Sequence, residues 1–522
     1  MAKKFNVTGI CFPEEHYMAD VSEKLEQTRR MVEAGEYFII NRPRQYGKTT
    51  MLYRLAEVLR YSGAYIVFNM SFEGIGDAVF EDEARFATGF VDLLANYAQV
   101  YAPMMEDWLI ETAPKTNNLK ALSKVITKMV SKTDKKVVLL IDEVDKSSNN
   151  QLFVSFLGML RNKYLDRKTF PTFHSVVLAG VHDVKSLKLK IRPESEQKYN
   201  SPWNIAADFR VDMNLHPQEI KPMLDEYAAD KGVKMDTGYI AERLFYYTSG
   251  YPFLVSRLCK MLDEEIMLQK GKMEWTEDDL IVAVQRLISE NNTNFDSLTK
   301  NLEHNEALYQ LVYSVAVEGI DYPYSFHDPV TNLGILYGIF VNRDGLAIHN
   351  RIYQEVIINF MTMRMLRLQK AEGNIFETGY RNADNSLNME AVLLKFQSFM
   401  REQYSRKDRS RGLGIERNGR LVFLAFLKPI INGAGYDFKE PQISDERRLD
   451  VIITYFQHKY LAELKIWRGE TLHEKGLLQL ADYLDRLSLT EGYLVIFDHG
   501  KRKSWKKEWV EVNGKRVFAV WV

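Results

Sequence analysis

Phe38-Ile-Ile-Asn41-Arg42-Pro-Arg44-Gln45-Tyr46-Gly47-Lys48-Thr49-Thr50 decides the first half of this chain. An apolar run passes into a tight polar loop and then into 48–61, where Leu52, Leu55 and Leu59 share one helical face. Strand, loop and helix in that order make an anion cradle, because successive loop N–H groups and the positive helix end face one point. Arg44, Gln45, Tyr46, Gly47, Lys48, Thr49 and Thr50 are therefore nucleotide-binding candidates. Lys48 is expected to reach β- and γ-phosphates and Thr49 to ligate Mg²⁺. The strict G-x-x-x-x-G-K-[ST] pattern is not met, since Arg42 stands where its first glycine belongs.

Val137-Val-Leu-Leu-Ile141-Asp142-Glu143 supplies the other half of that site. An apolar strand ending in adjacent acids sets Asp142 beside the Mg²⁺ and Glu143 beside the attacking water. Acids that merely end a strand are the bland alternative, weakened by the Gly47-Lys48-Thr49 loop upstream. A third run, 175–181, leads into His182 and Asp183, a weaker candidate for a γ-phosphate sensor. Expected strands at 37–41, 64–70, 137–141, 175–181 and 210–215 alternate with expected helices at 48–61, 81–101, 119–131 and 150–165. This rhythm predicts an α/β fold with a doubly wound parallel sheet.

From 217 to about 290 the pattern is helical. Residues 301–362 give helices and then Gly338–His349, whose Asn342-Arg-Asp-Gly345 turn between apolar strands suggests the wing of a winged helix. Residues 370–388 are polar and Gly/Asn-rich. The expected division is 1–215 for the nucleotide-binding core, 216–300 for a helical lid, 301–370 for a winged-helix-like connector, 371–385 for a linker and 386–522 for a second α/β domain.

A chain of 522 residues with 46 % apolar and 27 % charged residues fits several globular domains. No apolar run reaches membrane-spanning length and the start lacks a signal-peptide core, so no membrane partner is expected. Cys11 and Cys259 are the only cysteines, which fits a cytoplasmic setting and no disulfide framework. The net charge of −1 hides an asymmetry: 386–522 holds 24 Lys+Arg against 18 Asp+Glu, and the remainder 45 against 52. A basic C-terminal part suits a polyanion, or is a solvated surface.

His16-Tyr-Met-Ala-Asp20, Gly35-Glu-Tyr-Phe-Ile-Ile-Asn41, Arg44-Gln-Tyr-Gly-Lys-Thr49, Ser201-Pro-Trp-Asn204-Ile and Gly250-Tyr-Pro252 together resemble the AAA-like P-loop ATPases of the STAND/AAA+ type. The resemblance covers roughly 5–360. It implies ATP with Mg²⁺, conformational switching, tolerance of the missing glycine, and a Gly-x-Pro element in the lid beside the nucleotide. Arg257, one turn beyond Pro252, is either a lid contact to phosphate or an ordinary helix arginine.

In the C-terminal part, Arg448-Leu-Asp450-Val-Ile-Ile-Thr454 and Lys459-Tyr-Leu-Ala-Glu463-Leu-Lys465-Ile-Trp467 read as consecutive strands. Alternation puts Glu463 and Lys465 on one face. Asp450 and Glu463 can share a hard cation that polarises a phosphodiester and activates water, with Lys465 orienting that water. The pattern resembles the PD-(D/E)xK, or restriction-endonuclease-like, nucleases over about 386–522, with Leu449 in place of the proline. Gln479-Leu-Ala-Asp-Tyr483 resembles the Gln-x-x-x-Tyr element of the RecB-like branch, and Glu416, with Glu440 as rival, would be the acid of the first core helix.

That resemblance implies a metal-dependent nuclease using Mg²⁺, or Mn²⁺, on nucleic acid, DNA favoured over RNA. Arg401, Arg406, Lys407, Arg409, Arg411, Arg417 and Arg420, with the 501–507 cluster, would neutralise phosphates. By analogy with bacterial proteins of this pairing, the expectation is an ATP-driven switch controlling a nuclease, with a defence role and a homo-oligomer both open. The alternative is an ATP-dependent scaffold whose degenerate nuclease fold only grips nucleic acid.

Overall fold

Runs that are apolar at every inner position bury both faces, and they form the centre of the first sheet. The computed structural model describes residues 3–73, 77–144, 151–181, 203–318, 320–368, 380–405, 419–431, 435–440, 449–455, 458–467, 470–498 and 504–522. Strands β1 (Tyr37–Asn41), β2 (Tyr65–Ser71), β3 (Lys136–Asp142) and β4 (Ser175–Gly180) lie in the order β1-β4-β3-β2, all parallel. Every residue of β4 and all of β3 after Lys136 is buried.

Helix α1 (Ser22–Glu33) precedes β1, and α2 (Lys48–Tyr61), α3 (Glu83–Tyr101), α4 (Pro103–Thr112), α5 (Leu119–Val130) and α6 (Gln151–Leu165) connect the strands. Asp82 and Asn118 cap α3 and α5 by accepting from the N–H groups of Arg85 at 2.7 Å and Ala121 at 2.8 Å. Phe72, Phe80, Phe86, Phe90, Phe153 and Phe156 build an aromatic core between the sheet and these helices.

The expected strand at 210–215 does not form. Only Ala207 bridges to β1, through Phe38, after which the chain leaves the sheet. Its carbonyls go elsewhere: Val211 O accepts from Arg42 and Asn214 O from Lys24. This segment is a strap between the sheet edge and the next helices, not a fifth strand.

The helical run comprises α7 (Pro217–Lys231), α8 (Thr237–Thr248), α9 (Pro252–Met261), α10 (Met267–Lys270) and α11 (Glu277–Ser289), with a π-helical turn at Leu262–Ile266. Helix α7 opens on a capping box between His216 and Glu219 and stops at Gly232, whose φ is 68°. Helices α12 (Thr293–His304), α13 (Glu306–Tyr313) and α14 (Pro329–Leu336) follow. After them come the hairpin β5 (Phe340–Asn342) and β6 (Leu346–Ile348), then α15 (Arg351–Leu368). Asp344 and Gly345, both at positive φ, turn the hairpin.

The last part holds α16 (Met389–Ser405), α17 (Gly419–Ile431), β7 (Gly435–Glu440), β8 (Leu449–Tyr455), β9 (His458–Ile466), α18 (Glu470–Arg486), β10 (Glu491–Phe497), β11 (Lys507–Val512) and β12 (Lys515–Trp521). Its sheet runs β11-β12-β10-β9-β8-β7. The β7-β8-β9 meander is antiparallel, whereas β10 returns parallel to β9 after the α18 crossover. Leu477, Leu480 and Leu484 of α18 pack on Leu461, Leu494 and Ile496 of the sheet. The chain divides into two compact units, Met1–Asn294 with Asn332–Ile339, and Phe295–Thr331 with Phe340–Val522. Among the described residues no helix is long and apolar enough to cross a membrane.

Candidate functional site

Because the first sheet is parallel, the ends of β1 and β3 open on one edge, with β4 between them. The loop after β1 is shaped by two residues at positive φ, Gln45 at 56° and Gly47 at 78°. Gly47 is the N-cap of α2, a position with no side-chain cap, so the first-turn N–H groups are presented to the loop. Lys48 is buried, and its ammonium donates to the carbonyls of Arg42 at 2.8 Å and Pro43 at 2.7 Å. The charge thus sits inside the ring of the loop. Thr49 follows in the first turn, and Thr50 Oγ1 accepts from the N–H of Cys11 at 3.2 Å, tying the N-terminal segment to α2.

Arg42, at the position of the pattern's first glycine, makes contacts of its own. Its guanidinium donates to Val211 O at 2.9 Å and stands 5.3 Å from the Phe209 ring centroid. It anchors the 207–216 strap to the loop. Tyr46 donates to Asn214 of the same strap and meets the Tyr251 ring edge-on at 4.6 Å between centroids. Burial raises the Tyr46 hydroxyl pKa, which keeps it a neutral donor.

The helical run Pro217–Ser289 touches the loop through Gly250-Tyr251. Tyr251 donates to Arg44 O at 2.6 Å, and Gly250 O accepts from Leu215 N at 2.8 Å. A Cβ at 250 would overlap Leu215 O and lie 2.7 Å from Leu215 N, at a φ of +75°. Only glycine fits there. Arg257 is committed elsewhere, with its Nε at 3.0 Å from Glu290 Oε2 and its Nη2 at 3.3 Å from Glu265. In this conformation it forms a structural ion pair within the helical run.

Asp142 ends β3 at 5 % exposure, and its Oδ1 accepts from the N–H of Glu143 at 2.9 Å. Glu143 has left-handed backbone, φ 54°, which turns the chain off the strand immediately after the acid pair. His182 and Asp183 lie outside the described residues. The sequence reading missed the anchoring roles of Arg42, Tyr46 and Tyr251. Gly250-Tyr-Pro252 was the available signal, but the contact to Arg44 O needs the folded helical run.

Residues 13–314 match the model of the AAA-like domain, and the chain belongs to that family. With the loop geometry, this defines an AAA-like domain of the P-loop ATPase class. Among solved structures, a Walker-type ATPase of Pyrococcus abyssi aligns at 11 % identity over 68 % of this chain and 99 % of its own, with a TM-score of 0.47. The Aeropyrum pernix ORC2 protein, solved in ADPNP–ADP complexes, aligns at 13 % identity over 69 % and 98 %, with a TM-score of 0.39. RuvB of Thermotoga maritima aligns at 14 % identity over 68 % and 93 %, with a TM-score of 0.32. No curated protein sequence matches the chain.

In the second unit, register aligns three acids. Glu440 is the Cα partner of Asp450 across β7 and β8, and Asp450 of Glu463 across β8 and β9. Glu463 is 2 % exposed, so it does not belong to a solvated sheet face. Lys465 lies two residues on along β9, half-buried, with its ammonium at α18. A Cβ at Gly476 would overlap Lys465 Nζ and lie 3.2 Å from its Cε. His473, one turn before Gly476, has its pKa lowered by burial and then by the Lys465 charge. Gln479 is exposed on the next turn and Tyr483 packs against the core of the sheet.

Glu416 and the basic run 406–411 lie outside the described residues, as do Arg417 and 501–503. Glu440 is placed by register, Arg401 is exposed, and Trp505 is half-buried. The sequence reading missed Gly476 and His473 beside Lys465, since nothing in 470–476 announces which helix face meets β9.

Proposed function

We propose that the protein is an ATP-dependent switch whose nucleotide state controls a metal-dependent nuclease in its C-terminal part, acting on DNA in preference to RNA. The observation that carries the nuclease half is the cross-strand row Glu440, Asp450 and Glu463. Like charges directly opposite each other destabilise a sheet. Burial of Glu463 adds a desolvation cost. A bound cation offsets both terms, and carboxylate oxygens suit Mg²⁺ or Mn²⁺.

Such an ion would polarise a phosphodiester oxygen and lower the pKa of a bound water. In this reading Asp450 and Glu463 hold the ion, Lys465 orients the water and offsets charge on the phosphate, and Gln479 meets the substrate backbone from α18. Glu416 remains a further candidate acid beside Glu440.

At the loop, the residues fit a nucleoside triphosphate with Mg²⁺: Thr49 and Asp142 are oxygen donors suited to a hard cation. Held by Thr49 and Asp142, that cation would neutralise charge developing on the phosphates. Lys48 exchanges the Arg42 and Pro43 carbonyls for β- and γ-phosphate oxygens. Arg44, Gln45, Tyr46, Gly47 and Thr50 frame the phosphates, and Glu143 takes the proton of the attacking water. The bond from the Tyr251 hydroxyl to Arg44 O would link phosphate binding to the lid.

The test is cleavage of supercoiled, linear and single-stranded DNA and of RNA by the full chain, with Mg²⁺ or Mn²⁺, without nucleotide, with ATP and in Glu143→Gln protein. Cleavage that differs at least tenfold between nucleotide states supports the switch. Equal rates in all three remove the coupling, and no cleavage of any substrate favours the scaffold alternative.

A further inference from the structure

The ATPase side of the chain is acidic, with 45 Lys+Arg against 52 Asp+Glu outside 386–522. One groove on it departs from that balance. Between α5 and α6 lies a cavity of about 1070 Å³. Lys120, Lys124 and Lys128 line one wall, spaced four residues apart on α5 and all exposed. That spacing sets their stems roughly 6 Å apart along the helix axis. None of the three takes part in an ion pair among the described residues.

Arg161 stands on the opposite wall, oriented by its bond to Asn204 Oδ1 at 2.7 Å. The floor is positive too. Lys163, buried at 8 % exposure, donates to Ser123 O at 2.9 Å and Thr127 Oγ1 at 2.6 Å. Burial pulls its pKa down to about 8, so a neighbouring anion would favour its charged form. Against these five cations the described lining holds one acid, Asp166.

Two further features choose among polyanions. Phe170, at the groove, is 57 % exposed, an aromatic face offered to solvent beside a basic track. Gly158 leaves the α6 backbone open, since a Cβ there would meet nothing within 4 Å. An acidic peptide would use the cations and leave the ring idle. A single nucleic-acid strand uses both, with phosphates on the cations and a base on the ring.

We propose that the α5–α6 groove binds single-stranded nucleic acid, with phosphates on Lys120, Lys124, Lys128 and Arg161 and a base stacked on Phe170. This site is separate from the acid row of the second unit and does not depend on nuclease activity. It gives the ATPase module its own grip on a strand.

The experiment uses the full chain in EDTA without nucleotide, so that cleavage cannot intervene. Fluorescein-labelled oligothymidylate is titrated by anisotropy at several salt concentrations, and a 4-thiothymidine oligonucleotide is photo-crosslinked and mapped by mass spectrometry. Crosslinks within 119–170 are expected. Lys120→Glu/Lys124→Glu/Lys128→Glu should weaken binding at least about tenfold and reduce the log–log salt slope by about 2, three contacts at about 0.7 each. Phe170→Ala should weaken it about fivefold or more and leave the slope unchanged. Crosslinks confined to other segments overturn the proposal, and so does an unchanged isotherm and slope in the triple variant. Protection of Lys120, Lys124 and Lys128 from acetylation by polyglutamate, without any oligonucleotide crosslink there, overturns it and assigns the groove to an acidic peptide instead. Should the triple variant fail to fold, the crosslink map of the native chain decides.

Discussion

The phosphate loop and the acid row are built in opposite ways. The loop does its work largely with backbone: Gly47 at positive φ, an uncapped helix start, and one lysine parked on the carbonyls of Arg42 and Pro43. All of it lies within residues 42–50. The acid row has no local geometry of its own. Glu440, Asp450 and Glu463 are backbone neighbours because an antiparallel register pairs them, and a slip of one residue would turn Glu463 to the other face. A site made of consecutive backbone draws its geometry from one short segment. A site made by register is only as firm as the strands that carry it.

The largest expected effect falls on the acid row. Glu463→Gln and Asp450→Asn should each reduce cleavage at least about 10²-fold while leaving binding of uncleaved substrate within about twofold, because metal-assisted charge stabilisation is lost and basic contacts remain. Weakened binding with cleavage reduced only in proportion would mean that the row serves the stability of the sheet. Next comes Lys48→Ala, which should lower ATP affinity about 10²-fold by calorimetry, since a charged contact to phosphate is removed. An unchanged affinity would show that the backbone cradle alone holds the nucleotide, and would sharpen the contrast between the two sites.

This contrast also governs what was legible in the sequence. Strand β1 and helix α2 were read to the residue, because Gly47-Lys48 punctuates them and their apolar periods change there. The segment 210–215 was misread as a strand. Its alternation, Val211, Met213 and Leu215, is genuine and those residues are buried, but the segment's backbone partners are Arg42 at Val211, Lys24 at Asn214 and Gly250 at Leu215. Alternating burial reports a half-buried extended chain and does not say which groups accept its hydrogen bonds. Glu463 and Lys465 were visible as a pair of like parity on one strand. That Gly476 would lie against Lys465, or that Glu440 would align with Asp450, depends on helix packing and register, which no local pattern carries.

A smaller effect probes the junction of loop and lid. Gly250→Ala should cost about 1–2 kcal/mol from the left-handed backbone alone, with overlap on Leu215 adding to it. It should appear as faster hydrogen exchange across 215–216 and 248–252. If the variant exchanges like the parent, the strap yields and the glycine is not required.

The smallest expected effect is also the most specific. Tyr251 is 1 % exposed, its ring packs on Tyr46, and its hydroxyl donates to Arg44 O. Tyr251→Phe keeps the ring and removes one hydrogen bond worth about 1 kcal/mol, or about fivefold in a local opening equilibrium. The loss should be confined to the loop: amide exchange at 44–47 should quicken about fivefold, while the β3 and β4 amides, protected by the sheet, should not change. The same variant should separate two ideas about coupling. If Tyr251 transmits the state of the loop to the lid, the difference in lid exchange between nucleotide-free and ATP-bound protein should shrink along with it. Faster loop exchange with an undiminished nucleotide response in the lid would leave Tyr251 as a packing residue and send the search for the link to the Arg42 and Tyr46 contacts with the 207–216 strap.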